Sequence, residues 1–587
     1  MEKEDISIVN PNSNVRIPIK YKNLQYNFCK NPTCLNFGIE PPESKIDSKN
    51  IYLMTYGGKQ MPLLKCLLCG EAPPLKSNHG IVEELERISN YLKVYNQKIT
   101  CPDINCSNHN VGVETKKAYR KFGITKAKAK RFQCCVCDKT FSIAQPTQNQ
   151  RETSKNIDIF KMLVNKVPLS RIINITDISW SVLYNRIDFI HRQCLAFAAS
   201  REIQLLELPI DRVYISVDKQ DYMVNWTERK DKRNLVISAI CSVDNKTNYV
   251  FGINPNFDPS LDKDLIESNA QIIGDNTIGS AYRKYARLWL EVDYQKSIKK
   301  TNANKVASSL NEVIDNKYIA TQSREDLEAF DEKQSIDKLP DYGFQVHSEY
   351  TTIAHMYFLK SLLGNVGKFR FFLDQESGLR SAFMSAFKDE ICAKTAEAFF
   401  VSIAKEETND EKEKLVGISR KKFRDIKKGN PLLTDDEIKL IMLKTEISNV
   451  SHLGKYKDKW VNHPLPNKAE AEKKMCWLTE HDEYDLDHIA WLYNKASLHG
   501  VDSFFQKIRR RIAMLERPIH SSANRQRTWN GYAPYNPNMV IKMLDIFRVV
   551  HNYVDVKKET GQSPTTPATR IGLAKAPIDY KDILYFQ

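Results

Sequence analysis

Nine of the thirteen cysteines stand before Gln150, and eight of them form two copies of one pattern. Cys29 and Cys34 are answered by Cys66 and Cys69; Cys101 and Cys106 are answered by Cys134 and Cys137. Two closely spaced thiols chelate a metal ion from one side, and a second such pair closes a tetrahedron around Zn²⁺. The long loop between the pairs then becomes a small hairpin, so each tetrad predicts a zinc ribbon with one structural ion, two ions in all. The two ribbons open on similar phrases, Cys29-Lys30-Asn31-Pro32-Thr33-Cys34 and Cys101-Pro102-Asp103-Ile104-Asn105-Cys106. Cys135 lies between ligands and reads as a spectator. His109 is a possible substitute ligand, although four thiolates suffice without it. The charged opening Met1-Glu2-Lys3-Glu4-Asp5 lacks the apolar core of a secretory leader, and no run of about 18 apolar residues occurs. A reducing compartment is therefore expected, where thiols bind metal rather than oxidise.

The net charge of +15 points to a polyanionic partner. Part of it is concentrated on the second ribbon, in Lys116, Lys117, Arg120, Lys121, Lys126, Lys128, Lys130 and Arg131, with Tyr119, Phe122 and Phe132 interleaved. A run of one sign on a metal module favours phosphate contact over an ordinary solvated face. From Ser154 to Glu202 the apolar periodicity becomes helical. A first helix carries Ile157, Phe160 and Leu163, a short second follows Pro168, and Ser179 or Ser181 caps a third with Leu183, Ile187 and Ile190. That order matches a helix-turn-helix, whose third helix would present Ser181, Tyr184, Asn185 and Arg186 to bases or phosphates.

The middle of the chain is organised around two strands that stop at an acid, Arg212–Asp218 and Lys368–Asp374. Carboxylates brought together at the ends of central strands repel unless a divalent cation neutralises them, which points to chemistry. Asn234–Val243 and Asn248–Asn254 read as two further strands, turned at Asp244-Asn245-Lys246-Thr247. Thr352–Leu363 and Gly378–Phe387 read as helices and Ala396–Ala404 as a fifth strand. Residues 258–345 and 406–498 read as insertions, the second a helical one with local cores around Trp460, Trp477 and Trp491. In the helix beginning at Gly500, Asp502 and Gln506 share a face while Phe505 and Ile508 point inward. Arg509, Arg510 and Arg511 cannot all be buried and invite phosphate.

Taken together, these motifs resemble the DDE transposases of bacterial insertion sequences, whose catalytic domain is ribonuclease H-like. The resemblance rests on the ribbon closing with Arg131-Phe132-Gln133-Cys134-Cys135-Val136-Cys137, the helix-turn-helix after it, the acids Asp218 and Asp374, and Val501-Asp502-Ser503-Phe504-Phe505. The tail from Asn552-Tyr553 to Gly572-Leu573-Ala574 is also similar. It implies a multidomain α/β chain with a mixed-sheet catalytic core: zinc ribbon 1 with a linker over 1–97, zinc ribbon 2 over 98–150, the helix-turn-helix over 151–205, the catalytic domain over 206–556 and a tail over 557–587. The final Tyr585-Phe586-Gln587 reads as an appended scar. The family's third acid is usually Glu, and the matching residue here is Asp502; Glu516 is the alternative, and a retired enzyme with neither is the remaining possibility.

The resemblance further implies two Mg²⁺ or Mn²⁺ ions held by Asp218, Asp374 and Asp502, cutting element ends and joining them to target DNA. Lys219, Lys230, Arg509, Arg510 and Arg511 would hold strands near the metals, and Trp529, Tyr532 and Tyr535 would stack on a distorted end. Double-stranded DNA, as terminal inverted repeats and as target, is the implied partner, with a homodimer or larger assembly and a cytoplasmic, nucleoid-associated location in a prokaryote. A DNA-binding regulator without catalysis and a nuclease without joining activity are the rival readings.

Overall fold

The computed structural model describes residues 17–42, 51–57, 61–95, 99–126, 129–228, 230, 231, 233–298, 311, 314, 315, 337–376, 378–404, 408–453, 458–467, 470, 472–520, 528, 529, 531–557 and 563–586. The first tetrad flanks the hairpin β1 (Tyr52–Gly57) and β2 (Met61–Cys66), and helix α1 (Asn78–Tyr95) follows. The second tetrad flanks the three-stranded sheet β3 (Tyr119–Ile124), β4 (Lys130–Cys134) and β5 (Thr140–Ile143). Three helices come next: α2 (Lys155–Leu163), α3 (Leu169–Thr176) and α4 (Trp180–Glu202). The turn into α4 is made by Asp177 in the left-handed conformation (φ 50°), and Ser179 caps the helix by accepting from Val182 N.

The centre of the molecule is an eight-stranded mixed sheet. Strands β6 (Ile210–Val224), β7 (Leu235–Asp244) and β8 (Val250–Pro255) form an antiparallel meander. The short strand β9 (Phe257–Asp258), helices α5 (Lys263–Ile272) and α6 (Glu291–Ile298), strand β10 (Phe344–Gln345) and helix α7 (Ser348–Leu362) then lead to β11 (Val366–Asp374). β11 returns to pair in parallel with β6. After α8 (Leu379–Ala386) and α9 (Lys388–Cys392), β12 (Ala396–Ile403) pairs in parallel with β11.

The chain continues through α10 (Asn409–Gly429), α11 (Asp435–Ile447), β13 (Ser451–Leu453), β14 (Asp458–Asn462) and β15 (Lys473–Trp477). The full sheet order is β13-β14-β15-β12-β11-β6-β7-β8. Helices α12 (Leu486–Lys495), α13 (His499–Arg511) and α14 (Asn538–Tyr553) cover one face, and short helices α15 (Pro567–Ile571) and α16 (Tyr580–Leu584) end the chain. The opposite face carries α7 and α8, where Phe371 meets Phe383 and Phe387 with ring centroids 4.9 Å apart. The chain is thus a multidomain α/β protein with helices on both faces of a large mixed sheet.

Several sequence expectations change. β6 does not stop at Asp218; it runs to Val224, with Asp218 paired to Cys241 in mid-strand. The apolar run ends there, but Gln220, Tyr222 and Val224 stay buried while Asp221 is exposed, so the alternation that sustains pairing persists. Residues 406–498 are not a purely helical insertion, because β13, β14 and β15 extend the central sheet. Trp460 stacks on Phe400 (6.3 Å) and Trp477 on Phe399 (5.7 Å), so these tryptophans enlarge the main core instead of forming local ones. Trp491 packs on Tyr214 of β6. The stretch read as a linker is the 18-residue helix α1, docked on α7 and α4. The tail also folds back: Phe586, read as scar, meets Phe197 at 5.5 Å, and Gln193 donates to the Leu584 and Phe586 carbonyls.

Gly500 opens α13 against the sheet. A Cβ there would lie 2.4 Å from Asn245 Oδ1 and 3.0 Å from Ser216 Oγ. Neither neighbour is free to move, since Asn245 donates to Ser497 O and Ser216 Oγ donates to Val243 O. Gly500→Ala should therefore push α13 off β6 and lower stability by about 1–3 kcal/mol, the usual overpacking cost. Equilibrium unfolding of the full chain measures it, and an unchanged midpoint would contradict the packing described.

Candidate metal centres and nucleic-acid interface

Each cysteine tetrad is assembled with its ligand atoms within 4.8 Å of one another. Cys29 and Cys69 sulfurs stand 3.5 Å apart and Cys34 and Cys66 3.8 Å; in the second tetrad, Cys101–Cys137 is 3.4 Å and Cys106–Cys134 3.6 Å. A tetrahedron with Zn–S bonds of about 2.3 Å has edges of roughly 3.8 Å, whereas a disulfide needs about 2.05 Å. The thiols are thus spaced for an ion. Both tetrads suit structural zinc.

The surroundings are duplicated as well, which the cysteine spacing alone did not reveal. Asn36 donates its backbone N–H to Cys34 Sγ and its side-chain amide to Cys66 Sγ, both at 3.4 Å; Asn108 does the same for Cys106 and Cys134. Tyr52 Oη receives the Cys29 N–H and donates to Asn36 O and Ile39 O, and Tyr119 Oη does the same with Cys101, Asn108 and Val111. Such outer partners orient ligands and stabilise thiolate charge. Burial acts against ionisation of Cys134, but N–H donors from Cys137, Val136 and Asn108 outweigh it and bring its thiol down to about 6. The signal was present in the aligned phrases, where Asn follows the second cysteine by two residues in both copies. His109 is not a ligand: its Nδ1 lies 2.8 Å from Cys101 O. Cys135 is exposed, outside the tetrad.

The acids meet on one face of the central sheet. Leu373 pairs with Val217 in the parallel β11/β6 register, so Asp374 and Asp218 follow side by side on strands about 4.8 Å apart. Asp374 is buried and accepts from Gln375 N at 2.9 Å, while Asp218 accepts from Lys219 N at 2.7 Å. Asp502 arrives from the first turn of α13. Val501 N donates to Ser216 Oγ and Gly500 N to Asn245 Oδ1, each at 3.0 Å, which pins that turn beside β6.

The Asp218 carboxyl is held well above the usual carboxylate range, first by burial and then by the charges of Asp374, Glu376 and Asp502. Glu376 is an acid that sequence reasoning passed over; it pairs with Lys219 Nζ at 3.0 Å. Glu516 pairs with Lys166 at 2.9 Å and lines a cavity of about 210 Å³ with Lys219, Asp221, Tyr222 and Arg509. Among the described residues only the cysteine tetrads bring three ligand atoms within 4.8 Å of one another, so the three aspartates stand further apart than that.

The residues expected to touch DNA divide sharply. Lys130, Ser181, Tyr184, Asn185, Lys230 and Arg510 are exposed, and Arg131 is half-buried with its guanidinium 5.3 Å from the Phe122 ring. Tyr184 stacks with the exposed Trp180 at the start of α4, a residue the sequence reading left out. Arg186 does not face a groove: it is buried and donates to Arg151 O. It lies three residues after Leu183 and beside Ile187, so helical spacing already put it on the inner face. Arg511 is a structural residue, donating to Val164 O and pairing with Asp555. Lys219 is engaged by Glu376, and Arg509 is half-buried at the cavity beside the acids. Tyr532 and Tyr535 are exposed; Lys128 and the Trp529 side chain lie outside the described residues.

No protein-family model matches the chain, and comparison with curated proteins yields no match. No helix among the described residues is long and apolar enough to cross a membrane.

Purified full-length protein is expected to carry about two equivalents of zinc, one per tetrad. Cys66→Ser should remove one equivalent and leave the second tetrad intact, as read by metal analysis and by protease sensitivity around each tetrad. A folded chain without zinc would refute the assignment.

Proposed function

We propose that the chain is a metal-dependent DNA transposase of the DDE class, using Asp218, Asp374 and Asp502 to cut element ends and join them to target DNA. The observation that carries this reading is the placement of Asp218 and Asp374 side by side on adjacent parallel strands, with Asp502 delivered by a helix pinned through Ser216. The strand order supports it: three antiparallel strands followed by two parallel ones laid beside the first is what a ribonuclease H-like core calls for. Neither feature is explained by turn-forming aspartates, because Asp218 sits within a strand.

The donor set fits Mg²⁺ or Mn²⁺, since it is made of hard carboxylate oxygens whose mutual repulsion a divalent cation relieves. When bound, such metal supplies the positive charge that favours ionisation of the attacking oxygen and stabilises the leaving 3′-oxygen in an in-line displacement. The chain's own part is positional. Asp218 and Asp374 are fixed by strand register, the backbone N–H groups of Lys219 and Gln375 orient their carboxylates, and Ser216 aligns the helix that brings Asp502. Asp502 is preferred to Glu516 as the third acid because its charge acts on Asp218, whereas Glu516 is engaged by Lys166. The ribbons, together with the exposed Trp180, Ser181, Tyr184 and Asn185, would read the terminal repeats. Joining two ends implies a dimer or larger assembly, in a prokaryotic cytoplasm on the nucleoid.

The test uses the full chain, Mg²⁺ and the DNA flanking its own coding sequence. Asp374→Asn keeps the side chain's size but removes the charge that would hold metal. It should leave DNA binding intact and reduce cleavage and joining by about 10²–10³, the scale of one lost catalytic electrostatic group. Asp502→Ala should match it, with Glu516→Ala milder. Normal joining by both Asp218→Asn and Asp374→Asn would overturn the enzyme reading; cutting without joining in the wild type would make it a nuclease.

A further inference from the structure

The second insertion carries a basic helix whose placement the fold explains but the acids do not use. Along the C-terminal half of α10, Arg420, Arg424 and Lys428 follow at four-residue spacing, about 6 Å apart along the axis, with Lys421 on the neighbouring row. All four are exposed, and among the described residues none has a carboxylate within ion-pair distance. Their neighbours Lys422 and Lys427 are paired, with Glu446 and Asp435. Gly417, one turn before them, has open space where a side chain would stand. The opposite side of the helix is the packed one, through the buried Val416 and Ser419. Arg420, Arg424 and Lys428 repel at four-residue spacing by a few tenths of a kcal/mol each, which the helix C-terminus and the exposed Asp425, four residues after Lys421 and three before Lys428, offset in part.

The helix is rooted at the edge of the sheet where the acids lie. Asp374 pairs with Val401 near the end of β12, and the Thr408 capping box opens α10 seven residues later. Ser419 Oγ then donates to Pro464 O at 2.6 Å, just past the end of β14. That end faces the same edge, because Asn462 pairs with Lys474 and Ile403 with Lys473. The anchor therefore lies three strand spacings from β11, about 14 Å. At 3.4 Å per base pair this is roughly four base pairs of duplex. The basic stretch begins at the residue after the anchor.

We infer that the exposed face formed by Arg420, Lys421, Arg424 and Lys428 is a phosphate-backbone clamp for the double-stranded DNA flanking the strand break. This rests on the DNA-acting reading of the acid site and adds to it where the flanking duplex runs. The contact is sequence-independent, since the face presents four exposed cations with Asp425 at its margin, and such cations meet phosphates rather than base edges.

The experiment compares full-length wild type with Arg420→Gln/Lys421→Gln/Arg424→Gln/Lys428→Gln on duplexes of increasing length, across a salt series. Glutamine keeps helix propensity and a polar, uncharged end, and circular dichroism with the unfolding midpoint verifies the fold. The quadruple variant should bind long duplex at least tenfold more weakly near 0.15 M salt. Its log affinity against log salt should be shallower by about 2 to 4, at roughly 0.9 per lost phosphate contact. Exchanging Arg420 and Arg424 for Lys should retain the slope. If the wild type cuts DNA and the quadruple variant binds with the same affinity and slope, the clamp is wrong and the acid site's reading stands. If the wild type neither binds nor cuts any duplex, both fall.

Discussion

The parallel register of β11 against β6 is the constraint on which the rest depends. A one-residue slip would move Asp374 to the opposite face and exchange Phe369 and Phe371 for Lys368 and Arg370 against α8. The register is held from both sides. Below, Phe369 and Phe371 pack on Phe387 and Phe383. Above, Arg370 pairs with the fully buried Glu397 of β12 at 3.0 Å, and Tyr484 donates to the same carboxylate. A buried ion pair contributes little net stability, but separating its members is expensive, so it discriminates between registers more than it stabilises one. Parallel pairing also requires a covered crossover, which α7 supplies.

A second buried carboxylate joins helices that follow the two cysteine tetrads to this sheet. Glu202, at the end of α4, receives hydrogen bonds from Arg548 of α14, Tyr91 of α1 and Tyr249 beside β8. Four elements distant in sequence thus meet on one charge that water does not reach. Helix α13 is held at both ends: its first turn to Ser216 and Asn245, its last carbonyls by Lys166, which donates to Arg509 O and Arg511 O. The helix carrying Asp502 is therefore a strut between the sheet and the three-helix segment.

The two kinds of candidate metal site differ in the way their chemistry requires. The thiol tetrads are closed, with each sulfur near its neighbours and supported by Asn and Tyr, as suits a structural ion. The carboxylates are crowded but not closed, and Lys219 partly balances them through Glu376. Burial and the neighbouring acids hold the Asp218 carboxyl above its usual range, so the crowding opposes ionisation there.

Local spacing determined a good deal. The two cysteine tetrads, the helices over 155–202, the acid at the end of β11 and the inward face of α13 follow from periodicities of two, three and four residues, which act within a single element. What acts between elements was not legible. Asp218 stays inside a strand because β7 pairs across it; Arg511 is taken by Asp555. Strands β13, β14 and β15 joined the sheet because β12 offered an unpaired edge that short, lysine-rich strands cover, and no local pattern announces an edge elsewhere in the chain. Glu376 became part of the acid cluster only when the register set it beside Lys219. Sequence by itself decided which residues are able to bind metal or phosphate; tertiary structure decided which of them meet, because register, burial and charge pairing are properties of contacts between distant segments.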